Sequence, residues 1–103
     1  MIQVSVMYPY EEGKKFDLNY YLEKHTPMVK ELLGDACKKI SVQHGLSGPD
    51  PDSPAVYTVM CHLYFKSIDE FQEAFGPVAG QLLEDIPNYS ESQPVIQISE
   101  VKV

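Results

Sequence analysis

Two stretches, Tyr21-Leu22-Glu23-Lys24-His25-Thr26-Pro27 and Asp85-Ile86-Pro87-Asn88-Tyr89-Ser90, each stand where a helical pattern of apolar residues gives way to something else. They hold equivalent places in two halves of a strand-helix-strand repeat. Ahead of the first, Ile2, Val4, Val6 and Tyr8 alternate with Gln3, Ser5 and Met7, the period of a strand with one apolar face. Pro9 to Lys15 is a polar connection. Asp17 then stands at an N-cap, with Phe16 and Tyr21 at the positions of a hydrophobic staple. Leu18, Tyr21, Leu22, Val29, Leu32 and Leu33 recur at helical spacing as far as Gly34. A proline inside a helix lacks the amide donor, and its ring meets the carbonyl four residues back, here that of Glu23. Pro27 therefore predicts a break, with Thr26 capping a second segment and His25 lying at the interruption.

Working outward, Lys38 to Leu46 alternates again, with Ile40, Val42, His44 and Leu46 on one parity. Gly48 to Pro54, rich in proline and aspartate, reads as a loop. Ala55 to Phe65 is a long strand of β-branched and aromatic residues. Ser67 and Glu70 form a capping box ahead of a stripe made by Ile68, Phe71, Phe75 and Leu82, which Gly76-Pro77 interrupts. Asp85 to Gln93 is rich in turn residues, and Val95 to Val103 reads as the last strand. The order is βαββαβ, the ferredoxin-like α+β arrangement: a four-stranded antiparallel sheet with both helices on one face. In the third strand Tyr57, Val59, Cys61, Leu63 and Phe65 occupy one parity and Val56, Met60 and Tyr64 the other. Both faces thus read as apolar, and an exposed apolar sheet face predicts a homodimer in which two sheets pack into a dimeric α+β barrel.

At 103 residues the chain reads as one domain over 1–103, and its 44% apolar content supports a folded core. The formal charge of −7, without any Lys/Arg cluster, argues against nucleic acid and anionic membrane surfaces as partners. No charged leader precedes an apolar block and no apolar run reaches spanning length, which predicts a cytoplasmic location. Cys37 and Cys61 read as small residues of apolar segments.

For chemistry, no spacing of His and Cys matches a zinc site, so no metal is expected, and no Gly-rich phosphate loop signals a nucleotide cofactor. Pairing about the Gly48–Pro54 loop places His44 opposite Tyr57 and Thr58, about 15 Å along the ladder from His62. Cys61 and His62, adjacent on a strand, point to opposite faces and make no nucleophile–base pair. Proton transfer or ligand binding between the sheet and the interrupted helices remains. His25 is the candidate general acid/base, since imidazole titrates near neutrality; its alternative role is to satisfy a carbonyl freed by Pro27. Asp85 either orients that histidine, acts as a carboxylate base, or caps its own turn. Tyr21, Tyr64 and Tyr89 are candidate substrate-binding phenols among seven tyrosines.

Tyr-Leu-x-x-His-Thr-Pro in the first helix, and Asp-Ile-Pro-Asn-Tyr-Ser ahead of a last strand opened by Pro94, resemble the EthD family. These are small dimeric α+β barrel proteins named from ethyl tert-butyl ether degradation, and the resemblance covers nearly the whole chain. It implies a small cofactor-independent enzyme of monooxygenase, cyclase or dehydratase type. The substrate would be a small organic, often aromatic, molecule of catabolism or secondary metabolism. The alternatives are a non-catalytic binding or accessory protein of a degradation pathway, and a haem-handling relative with His25, His44 or His62 as axial candidate.

Overall fold

Alternation places Ile2–Pro9 in strand β1, and the computed structural model, which describes residues 1–103, pairs it on both sides. Strands β2 (Lys39–His44), β3 (Tyr57–Phe65) and β4 (Val95–Glu100) complete one antiparallel sheet in the order β2-β3-β1-β4. The helical segments are α1 (Leu18–Tyr20), α2 (Thr26–Leu33), α3 (Ile68–Phe75) and α4 (Ala79–Glu84). The chain is therefore an α+β, ferredoxin-like fold. The strands expected at 38–46, 55–65 and 95–103 are each a few residues shorter, because the residues lost lie beyond the last ladder pairs.

Register sorts the side chains into two faces. Val4 pairs with Leu63 and Ile98, and Tyr8 with Val59, so the odd residues of β3 face the helices with Ile2, Val4, Val6 and Tyr8. Val59 and Phe65 are fully buried there. Phe65 meets Phe71 edge-on at 5.1 Å, which holds α3 against the sheet. Each such side chain contributes roughly 1.5–3 kcal/mol on burial.

The opposite face corrects the apolar reading. Gln3, Ser5, Lys39, Ser41, Gln43, His62, Gln97 and Ser99 share its parity, and among its central residues Met7, Met60 and Tyr64 alone supply large apolar surface. The parity of Val59 and Leu63 belongs to the helix-side core. His44 pairs with Val59, not with Tyr57 or Thr58, so it stands about 10 Å from His62 along the ladder and on the other face.

Asp17 caps α1 as expected, accepting from the Tyr20 amide at 3.0 Å, and Phe16 packs on Tyr21 at 5.3 Å. Ser67 accepts from the Glu70 amide at 3.1 Å, while Glu70 Oε2 is buried without a partner, so only half of the capping box forms. Pro27 does not break its helix. Residues 18–33 keep helical backbone angles, and Tyr21–His25 widen into a π turn in which the Thr26 amide donates to the Tyr21 carbonyl. Thr26 is no N-cap; its hydroxyl donates to the same carbonyl at 2.9 Å. Stepping the hydrogen bond back by one residue lets the chain accept a proline that an ordinary α turn would reject. Gly34, at φ 61°, ends the helix. In the second half, Gly76–Val78 forms a 3-10 turn between α3 and α4, and Ile86–Asn88 forms another beyond Asp85.

Candidate functional site

The π turn determines where His25 goes. An extra residue in the turn rotates His25 onto the helix face that looks at the sheet, where it is buried and stacks on Tyr21 at 5.3 Å. From the other half of the repeat, Asp85 ends α4 and reaches the same ring. Asp85 Oδ2 lies 2.8 Å from His25 Nδ1, and Asp85 Oδ1 accepts from the Tyr20 hydroxyl at 2.7 Å and from Asn88 Nδ2 at 2.9 Å.

Tyr89 approaches the far side of the imidazole. Its backbone carbonyl accepts from the Asp17 amide at 2.7 Å, and a bridge between Phe16 and Ser90 pins the segment to the entrance of the first helix. Tyr89 Oη consequently stands 3.4 Å from His25 Nε2 and 2.5 Å from Tyr8 Oη. Ser90, whose hydroxyl donates to the Ser92 carbonyl at 2.7 Å, is occupied in its own turn.

Protonation follows from the partners. Burial would raise the Asp85 carboxyl, but hydrogen bonds from Tyr20, Asn88 and His25 outweigh it and hold the group below its usual range. An ionised carboxylate only accepts, so Nδ1 of His25 carries the proton and Nε2 is left as the acceptor. Burial lowers the affinity of His25 for a second proton, opposed by the Asp85 charge, and the lowering wins. Near neutral pH the pair is thus a carboxylate holding a neutral imidazole. Burial pushes Tyr8 up to about 12 and raises Tyr21 and Tyr89 as well, so all three phenols keep their protons.

These groups open on a cleft between the helices and β1, β3 and β4. Val29, Leu33, Cys61, Leu82, Ile86 and Ile96 line it, with Tyr8, Tyr21, His25 and Tyr89 as its polar members. The cavity of about 60 Å³ has room for a few waters or a small organic group.

His25, Asp85, Tyr21 and Tyr89 come together as one cluster. Tyr64 does not join them: it lies on the opposite sheet face, where its hydroxyl accepts from Gln3 Nε2 at 2.7 Å and Lys39 sits over its ring. Tyr8 and Tyr20 join the cluster without having been singled out. The signal for Tyr8 was parity, since it shares the helix-side face of β1 with Val4 and Val6. No three side chains of His, Cys, Asp or Glu converge closely enough to hold a metal ion, and no helix is long and apolar enough to cross a membrane.

The EthD domain family model matches residues 12–93. An EthD-like protein from Ralstonia eutropha JMP134 is 44% identical, over 99% of this chain and 92% of that one, with a TM-score of 0.95. An ethyl tert-butyl ether degradation family protein from Bacillus halodurans shares the fold at 16% identity, with 99% of each chain covered and a TM-score of 0.78. A dimeric protein of ferredoxin-like fold from Bacteroides fragilis is similar over 97% of this chain and 95% of that one, at 10% identity and a TM-score of 0.58. No curated protein sequence matches the chain.

Proposed function

The chain belongs to the EthD family, and from that premise we propose that it is a small cofactor-independent enzyme in which His25 is the general acid/base. Its substrate is a small organic molecule, aromatic or similarly apolar, bound in the cleft. The observation that carries this reading is the two-sided environment of one ring: Nδ1 donates to Asp85, while Nε2 is left to a weak contact with the Tyr89 hydroxyl at 3.4 Å on the wall of an otherwise apolar cavity. A base serves best when it is neutral at working pH, fixed in one tautomer and shielded from water, and each condition has a cause in this arrangement. Of the reaction types suggested by resemblance, those that hinge on proton transfer, cyclisation and dehydration, suit it best. Asp85 stabilises the imidazolium that forms, and Tyr21 fixes the ring plane.

A second reading is a ligand-binding accessory protein, favoured by how little of the cleft wall is polar. One experiment separates the two. A panel of small neutral aromatics is screened by amide chemical shifts, and the best ligand is then followed for turnover by wild type and by His25→Asn, whose amide keeps a donor toward Asp85. The enzyme reading expects turnover to vanish in the variant, with binding and melting temperature little changed. Binding without turnover in either protein would establish the accessory reading.

The working unit in this proposal is a homodimer formed through the open sheet face, consistent with the relative described as dimeric, and it works in the cytoplasm, consistent with two unpaired cysteines.

A further inference from the structure

We infer that the hydroxyls of Tyr89 and Tyr8 form an oxygen-binding pair, and that the cleft accordingly takes a neutral, enolisable carbonyl compound. This inference rests on the reading of His25 as the base. The direction of the hydrogen bonds leads to it. With its proton on Nδ1, His25 offers only an acceptor at Nε2, so the phenols are ordered with Tyr8 donating to Tyr89 and Tyr89 donating to His25. The last link, at 3.4 Å, is at the outer limit of a hydrogen bond. A carbonyl oxygen entering beside Tyr89 takes over that donor at little loss and frees Nε2. Tyr8, 2% exposed, has no competing partner and strengthens Tyr89 as a donor from behind.

Charge narrows the class further. No lysine or arginine lines the cleft, and its one nearby charge, Asp85, is negative and stands behind His25. A carboxylate or phosphate would lose its hydration without a counter-ion. A neutral oxygen that becomes negative only during reaction meets one phenolic donor already in place, Tyr89 with Tyr8 donating to it from behind, and such a donor favours the charged species over the resting one.

The step balances within the site. His25 Nε2 takes a proton from the carbon next to the carbonyl, and the pair from that C–H bond forms a carbon–carbon double bond. The carbonyl π pair moves to the oxygen, held by the Tyr89 hydroxyl. The imidazolium, stabilised by Asp85, then returns its proton to that carbon, to the oxygen or to a conjugated position. No other reactant enters.

The test uses three probes with the same ring, acetophenone, ethylbenzene and benzoate, titrated into wild type, Tyr89→Phe and Tyr8→Phe. The phenylalanine variants keep ring packing, which a melting curve checks. The ratio of acetophenone to ethylbenzene affinity is expected to fall about tenfold in Tyr89→Phe, and in the same direction in Tyr8→Phe, with ethylbenzene itself unmoved. Benzoate should be the weakest ligand of wild type. A ratio unchanged in both variants, benzoate binding as tightly as the ketone, or no ketone binding to wild type would overturn the inference. Deuterium exchange at the acetophenone methyl group, compared between wild type and His25→Asn, reports separately on the base. Exchange that depends on His25 beside an unchanged ratio would overturn the oxygen-binding pair alone, whereas exchange indifferent to His25 beside a falling ratio would overturn the base and keep the pair.

Discussion

His25 is buried as a neutral imidazole, and this gives stability a sign in pH. Its folded pKa lies below the ordinary 6.5, so just below that value the unfolded chain binds the extra proton more readily. Stability should therefore be complete above about pH 6.5 and fall as pH drops through the window beneath it. Asp85, also held below its ordinary 3.8, adds a second loss at still lower pH. Urea midpoints between pH 8 and 5 should decline in wild type and flatten in His25→Asn; equal slopes would mean that His25 does not titrate with folding. Asp85→Asn tests the other half of the pair. An amide nitrogen facing Nδ1 cannot accept its proton, so the neutral ring should switch to the Nε2–H tautomer and lose its basic site, visible in the nitrogen shifts of the labelled imidazole. The punctuated sequence around His25 and Asp85 made both residues legible, because proline next to polar side chains at a helix end marks irregular backbone. It did not distinguish Tyr64 from Tyr8: a tyrosine suits either face of a sheet, and only register assigns them.

At the scale of elements, the instructive case is the helix at Pro27. The sequence predicts an interruption, and the chain instead widens one turn, which satisfies the Thr26 amide through the Tyr21 carbonyl and still turns His25 inward. Sequence rules price the proline against a regular α-helix and cannot weigh the π alternative, whose stability depends on Tyr21 and His25 packing on the sheet. Pro27→Ala returns an amide donor to the helix, so regular α geometry should recover across Tyr21–His25. Melting temperature should rise by a few degrees and ligand affinity should fall as His25 rotates away. A variant whose Thr26 amide still bonds Tyr21 would show that the π turn is held by packing and not by the proline.

At the scale of the whole molecule, the ferredoxin-like order was readable because the strands carried a period of two, the helices an apolar stripe, and Asp17 and Ser67 capped the first helix of each half. The character of the open sheet face was not, since Val59 and Leu63 read equally well on either face until the ladder with β1 assigns them. That assignment separates two substitutions. Val59→Asp places a charge in the core and should cost several kcal/mol, unfolding the protein. If the proposed homodimer forms through the open face, wild type should sediment as a dimer and Met60→Asp as a folded monomer; a wild-type monomer would refute the dimer, and a dimer unaffected by Met60→Asp would move the interface elsewhere. Whether the two halves of the repeat deliver one base to one apolar cleft is read from the rate of deuterium entry into the acetophenone methyl group at neutral pH. Wild type should accelerate it and His25→Asn should lose roughly a hundredfold or more of that acceleration while still binding the ketone; equal acceleration by the two proteins would rule out His25 as the base.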